Sequence, residues 1–430
     1  MAAAPPPPAP PPDASFSPAT GTARTGRIAA LLGIVLVALT LRTAVGAFSP
    51  IVEQIGVDID LGPLLIGAIG ALPPVVFAVS SLLAPRLARF GLERGVAVMT
   101  LVAAAGHAIR AIAPDGAVLL LGTLLALAGA GVGNVLLPPL VKRWFPGRIP
   151  AITALYVTVM SLGATAPPLF AVPIADAAGW RLALGVWALL PLAAAAPWIV
   201  ELVGRRGLEP RDVAAREAVE EPSGRLAVVR SPLAWAMALL FGATTVGAYA
   251  VFAWLPLMLR DLAGVGEAEA GAMLALFAIL GFPQAIAVPL LASRVGRQAP
   301  LVVLGMLCFT GGWLGLLLAP RAAPVLWTVL IGLGPLIFPL ALSLINLRSR
   351  THAGSVATSA FVQGIGYTLG AAGPLVVGVL HQLTGGWTAA LILLIAIVVL
   401  DVPAVVLLSR PGVVEDDPGV LRGAGGKGSS

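Results

Sequence analysis

Apolar residues fill this chain in blocks of about twenty, and polar residues gather in the short breaks between them. A helical block of that length, rising 1.5 Å per residue, crosses a hydrocarbon layer of roughly 30 Å. Read between charged or Gly/Pro breaks, the blocks predict twelve helices. They run over 28–48, 63–84, 95–113, 117–140, 150–172 and 180–201, then over 233–258, 268–291, 300–319, 323–346, 355–380 and 387–408. A membrane barrel would instead show alternation over ~10-residue segments. The fold class this predicts is an all-α, twelve-span membrane protein.

The breaks test the parse independently. With the N-terminus in the cytoplasm, twenty-one Lys and Arg fall on the cytoplasmic side and four (Arg110, Arg181, Arg260 and Arg321) outside. Only Arg42 is left over, inside the first span. That asymmetry is what the positive-inside rule demands, and both termini are expected in the cytoplasm. It also accounts for the net charge of +6 without nucleic acid, because the basic residues are spread over many short loops. Only 11% of residues are charged, and mean hydropathy is +0.98. Soluble domains carry roughly 25% charged residues. The single Cys308 rules out a disulfide framework or a Cys metal site, and the three histidines show no ligand spacing, so no cofactor is expected. Residues 1–27 read as a disordered Pro-rich tail with no signal peptide, and 410–430 as a second disordered tail.

One long hydrophilic connection, 204–230, divides the chain into halves at 28–203 and 231–409. The halves echo one another. "LARFG" (87–91) matches "LASRVG" (291–296), Pro50 matches Pro256, "SLGATAP" (161–167) matches "TLGAAGP" (368–374), and "AGW" (178–180) matches "GGW" (385–387), at offsets of 205 to 207. "GVGNVLLP" (131–138) and "GLGPLIFP" (332–339) match at 201. Five matches in one order at nearly one offset indicate two six-helix parallel repeats. That is the major facilitator architecture, with solute bound near the midplane between the halves.

The residues "LRTAVGAFSP", "GVGNVLLPPLVKRWFP" (131–146), "AYAVFAWLP" (248–256) and "FVQGIGYTLGAAGP" (361–374) carry a more specific likeness. From about residue 28 to 405 the chain resembles the cyanate/2-nitroimidazole transporter family of the major facilitator superfamily. The resemblance implies a multi-pass transporter of small solutes in a bacterial inner membrane. Two departures qualify it. The superfamily's Gly-x-x-x-Asp-Arg-x-Gly-Arg loop reads "APRLARFGL" (84–92): Arg89 and Gly91 remain, but Ala84 and Ala88 replace the Gly and the Asp. Its second copy keeps Arg294 and Gly296 with Ser293 at the acidic position, so the gate contacts of that acid cannot be carried over. Leu125 stands where proton-coupled antiporters often have an Arg before Gly-x-Gly, which weakens a drug/proton antiport reading.

Arg42 is the main chemical candidate. An Arg at a helix centre costs ~2.5–3.5 kcal/mol on insertion scales, so such groups are functional candidates by default. By resemblance the first helix lines the cavity, where an unpaired guanidinium suits a small anion. The plainer reading is snorkelling: Phe48 is six residues on, about 9 Å along the axis. Gln363, Asn134 and Gln284 are lone amides in apolar helices, suited either to orienting a polar solute or to bonding a neighbouring helix. Tyr249 and Trp254 are five apart and face different directions, and Trp254 could equally be an interfacial anchor. Tyr156 and Phe361 occupy matching places in the halves, as symmetric walls or as ordinary packing. Asp401, His107 and Arg110 read as groups near the interface. Gly129/Gly133 and Gly366/Gly370 have the spacing of close helix contacts.

Together these point to a secondary active transporter, not an enzyme, since no nucleophile set, carboxylate pair or metal cluster stands out. The expected partners are a small anion or polar small molecule of the cyanate or nitroimidazole kind, the lipid bilayer and, as an option, a coupling proton; the expected state is a monomer. The alternative is a multidrug-type exporter of hydrophobic compounds in which Arg42 is structural.

Overall fold

A computed structural model describes residues 21–88, 91–204, 228–294, 298–350, 352–410 and 412–417. Arg89, Gly296 and most of the 204–230 connection lie outside the described residues. Among those described there are twelve helices long and apolar enough to cross a membrane. In chain order they are α1 (Gly26–Gly56), α2 (Pro63–Ser80), α3 (Leu92–Ala111), α4 (Gly116–Leu137), α5 (Ala151–Ala178) and α6 (Trp180–Val203). The second set is α7 (Pro232–Ala263), α8 (Glu267–Ala292), α9 (Ala299–Leu318), α10 (Pro324–Ile345), α11 (Ala357–Thr384) and α12 (Thr388–Ser409). Leu121, Leu182, Leu307, Ile392 and Leu400 point outward. That is the reverse of a soluble protein and suits a surface solvated by lipid.

Local chemistry sets several helix ends. The Asp115 carboxylate accepts from Val118 N at 2.9 Å to begin α4, and the Ser231 hydroxyl accepts from Ala234 N at 3.0 Å to begin α7. Gly264, at φ 74°, closes α7 in the left-handed conformation. Pro50 was expected to close α1. Instead it sits in the first turn of a 3-10 segment, Ser49–Ile51, where its missing N–H costs nothing, and the chain coils on to Gly56. Residues 412–417, expected to belong to a disordered tail, fold back on the C-terminal half. Arg348 donates to the carbonyls of Leu408, Arg410 and Gly412, Arg350 pairs with Asp416, and Asp417 bonds the Ser231 hydroxyl at the start of α7.

The halves meet at one end of the bundle, the end that loop charge assigns to the outside and that is called outer below. The largest apolar core joins α7–α12 only to the outer portions of α1–α6: Ala47 to Ile69, Ala113, Leu119 and Ala171 to Leu184. A separate core under the other end holds N-terminal-half residues alone, from Ala30 to Trp198. Glycines let the outer ends touch. A methyl on Gly70 would stand 2.6 Å from Ala253 Cβ, and one on Gly271 would stand 2.6 Å from the Pro168 carbonyl oxygen. Polar groups rim the contact. Arg260 pairs with Glu53 of the other half at 2.7 Å and with Glu267 at 3.2 Å. Gln54 donates to Glu267 at 2.7 Å and to Asp176 at 2.9 Å. Nearby, the Asp58 carboxylate accepts from Arg181 and from the Trp180 indole, and these donors hold its pKa below the ordinary value.

Candidate functional site

The segment "ALTLRTAVG" is too apolar to look like a break, yet α1 breaks there. The first helical run ends at Thr40, and a second, Thr43–Gly46, starts after a turn at Leu41 and Arg42. Arg42 caps the second run with φ −119° and ψ −4°. Two threonine hydroxyls absorb carbonyls around the break: Thr40 Oγ1 donates to Val37 O at 2.7 Å, and Thr43 Oγ1 to Thr40 O at 2.9 Å. Such back-bonding bends helices. Broken membrane helices recur where transporters bind solute.

The break aims Arg42 between the halves. Its guanidinium carbon lies 5.1 Å from the ring centroid of Phe77, on α2. It lies close enough to interact with the Tyr249 hydroxyl, on α7, and within electrostatic range of Tyr367, on α11. Tyr249 and Tyr367 also lie within range of each other. Among the described residues no carboxylate pairs with Arg42. A cation on an aromatic face gains ~0.5–1 kcal/mol when exposed and about 2 when desolvated, and such a contact does not neutralise the half-buried guanidinium. The surroundings thus hold the guanidinium in place while leaving its charge open. An Arg snorkelling to the membrane surface would not sit among α2, α7 and α11.

The other sequence candidates separate. Trp254, 1% exposed, is no interfacial anchor: its indole donates to Pro374 O at 2.8 Å, and its ring packs near His381 and Trp387. Gln284 donates to Leu280 O and, at 2.7 Å, to Gly332 O, beside the 3-10 turn Gly334–Leu336 that interrupts α10. Both side chains satisfy backbone carbonyls. Gln363 is half-buried and donates to Ser359 Oγ at 2.7 Å, one turn back and one turn before Tyr367. Asn134 is exposed on α4, with no hydrogen-bond partner among the described residues. Tyr156 packs on the N-terminal-half core, whereas Phe361 stands edge-on to Trp235 at 5.1 Å in the other half. They do not converge on Arg42. Gly91, at φ 96°, immediately precedes α3, and Arg294 lies exposed two residues past α8.

Three groups expected near the interface are buried. Arg110 is 0% exposed and His107 2%, both against the break in α1. Asp401 is 3% exposed, at the turn between the two runs of α12. Sequence reasoning missed Phe77 and Tyr367. Phe77 gives no signal in an apolar run, but Tyr367 is one of only three tyrosines in 430 residues.

The comparisons agree with this architecture. Residues 31–372 match the Major Facilitator Superfamily. The chain is 32% identical over 375 residues to the 2-nitroimidazole transporter of Escherichia coli K12, covering 86% of this chain and 93% of that one. It is 29% identical over 363 residues to the cyanate transport protein CynX of the same organism, covering 83% and 91%. Among solved structures, a bacterial homologue of the human lysosomal transporter Spinster, in an inward-facing and unoccupied conformation, superposes with a TM-score of 0.73. The identity is 13%, and the match covers 94% of this chain and 99% of that one.

Proposed function

The chain belongs to the Major Facilitator Superfamily, and on that footing we propose that it carries a small anion or small polar acceptor molecule by alternating access, with Arg42 as the anchor. The observation that carries this is the state of Arg42. It is a guanidinium at a break in α1, steadied by Phe77 and Tyr249 and unpaired with any carboxylate among the described residues. A fixed carboxylate there would compete with the solute at every cycle. Cyanate and a nitro group share the chemistry such a fork recognises: delocalised acceptor atoms on a small body, with no need of donors from the protein's side beyond N–H and O–H. That the E. coli relatives are named for 2-nitroimidazole and cyanate supports the same solute class.

In this reading Arg42, Tyr249, Tyr367 and Phe77 hold the solute, while Gln363 and Asn134 stand near its path. Trp254 and Gln284 keep the helices around it in register. The charge asymmetry supports both termini in the cytoplasm of a bacterial inner membrane, so the open end of the bundle faces inward. Binding neutralises Arg42, which lowers the cost of enclosing it and biases the halves towards closing around the solute. A single copy contains every group named, which supports a monomer.

Thermal unfolding of the detergent-purified protein tests this, against cyanate, thiocyanate, nitrate, neutral nitroaromatics and bulky hydrophobic compounds. A ligand at one hundred times its Kd stabilises the native state by about 2.7 kcal/mol. Stabilisation by one or more small solutes, abolished in a folded Arg42→Gln variant, is expected. Stabilisation by bulky hydrophobic compounds alone, unchanged in Arg42→Gln, would establish the multidrug alternative instead.

A further inference from the structure

A fully buried arginine beside the break has no evident structural reason to be charged. Arg110 lies on the last turn of α3 and is fully enclosed. Its Nη1 reaches the Ala44 carbonyl only at 3.5 Å, and Nε and Nη2 have no hydrogen-bond partner. No carboxylate among the described residues pairs with it. α3 and α4 close tightly over it: a methyl on Gly122 of α4 would come within 2.9 Å of Arg110 Cγ, of Arg110 N and of the Gly106 carbonyl oxygen. One turn earlier, His107 Nε2 lies 3.4 Å from the Thr43 hydroxyl, whose own hydrogen goes to Thr40 O. The two side chains thus grip the backbone on the outer side of the break that carries Arg42.

A packing role does not explain this choice. A buried charge loses several kcal/mol of hydration, and hydrophobic residues of similar volume are often neutral or stabilising in its place. What a hydrophobic replacement cannot supply is an electric field. Two positive groups flank one broken segment, and neither pairs with a carboxylate among the described residues. In an interior of effective dielectric near 20, a unit charge roughly 10 Å away changes the affinity for a monovalent anion on the order of tenfold and leaves a neutral ligand unaffected.

We propose that Arg110 is a specificity-determining residue: held with His107 against the break in α1, it raises the positive potential at the Arg42 site and selects anions over neutral solutes of similar size. This rests on the reading of Arg42 as anchor. Arg110 touches no solute; it acts through the field and through the placement of residues 43 and 44.

Isothermal titration of the purified full chain at one pH tests it, with cyanate as the anionic probe and an N-methylated nitroimidazole, which cannot ionise, as the neutral one. Arg110→Gln is expected to weaken cyanate binding about tenfold and to change the neutral ligand's Kd less than twofold. Arg110→Lys, which keeps the charge, is expected to retain most of the cyanate affinity. Arg110→Met guards against misfolding, since it fills the space without a buried charge. It is expected to show the same selective loss with an unchanged or raised Tm. Equal losses for both ligands in Arg110→Gln and Arg110→Met, or no loss in either, would overturn the proposal and leave the anchor reading intact. Cyanate binding that survives Arg42→Gln would overturn the anchor reading itself. A wild-type protein that binds none of cyanate, thiocyanate and nitrate overturns the proposal, because there is then no anion to select.

Discussion

Arg42 is held by contacts of unequal kind, and each can be removed separately. The Tyr249 hydroxyl faces the guanidinium within interaction range and can also donate its O–H. Tyr249→Phe therefore removes both a brace and a donor while leaving the ring, and ligand affinity is expected to fall about fivefold, the equivalent of ~1 kcal/mol. Arg42→Lys is expected to cost tenfold or more despite the retained charge, because an ammonium lacks the planar fork and stacks poorly on Phe77. Titration of the two variants against wild type measures both losses; affinities unchanged in both would remove Arg42 from the site. The sequence made Arg42 conspicuous because a charge in an apolar run is costly. It made Trp254 conspicuous as a large aromatic and Gln284 as a lone amide, and the structure has both donating to backbone carbonyls. Polar side chains beside prolines and glycines satisfy carbonyls where helices bend, so their polarity records a backbone need. Phe77 was illegible, since a phenylalanine in lipid-spanning sequence is ordinary.

Among the elements, the twelve spans were legible because length and hydropathy fix them, and their interruptions were not. Pro50 looked like a stop and is instead the start of another turn, whereas the break at Leu41 and Arg42 contains neither proline nor glycine. Its only trace is the pair of threonines, whose hydroxyls replace lost backbone hydrogen bonds. Thr43→Val keeps the shape and removes the hydroxyl that serves both Thr40 O and His107. It is expected to destabilise the protein by about 1–2 kcal/mol, with Thr43→Ser near wild type, in thermal or urea unfolding. The variant is expected to weaken cyanate binding as well, because the segment it loosens carries Arg42. Equal stability of Thr43→Val and wild type would mean that the break needs no side chain to hold it.

At the scale of the molecule, the repeat and the loop charges predict two halves and an orientation, but not which end closes. That choice depends on contacts between halves that differ by only a few kcal/mol between states, too little to leave a pattern in composition. The contacts themselves suggest how to move the balance. Gly271 must be glycine only while the outer ends touch, since a methyl there would lie 2.6 Å from the Pro168 carbonyl oxygen. Arg260 ties Glu53 to Glu267 only in the same state. Both substitutions therefore penalise the closed outer end and spare the open one. The ion pair is partly exposed, so Arg260→Gln is expected to shift the ratio of states modestly, up to about fivefold for ~1 kcal/mol. Gly271→Ala acts against rigid backbone and is expected to shift it further. Spin labels at Val57 and Leu383, exposed outer positions in opposite halves, report the separation directly once the buried Cys308 is replaced by alanine. A longer-distance population that grows from wild type to Arg260→Gln to Gly271→Ala is the expected result. Identical distance distributions in all three would mean that the outer contact follows the closing of the halves without helping to hold it.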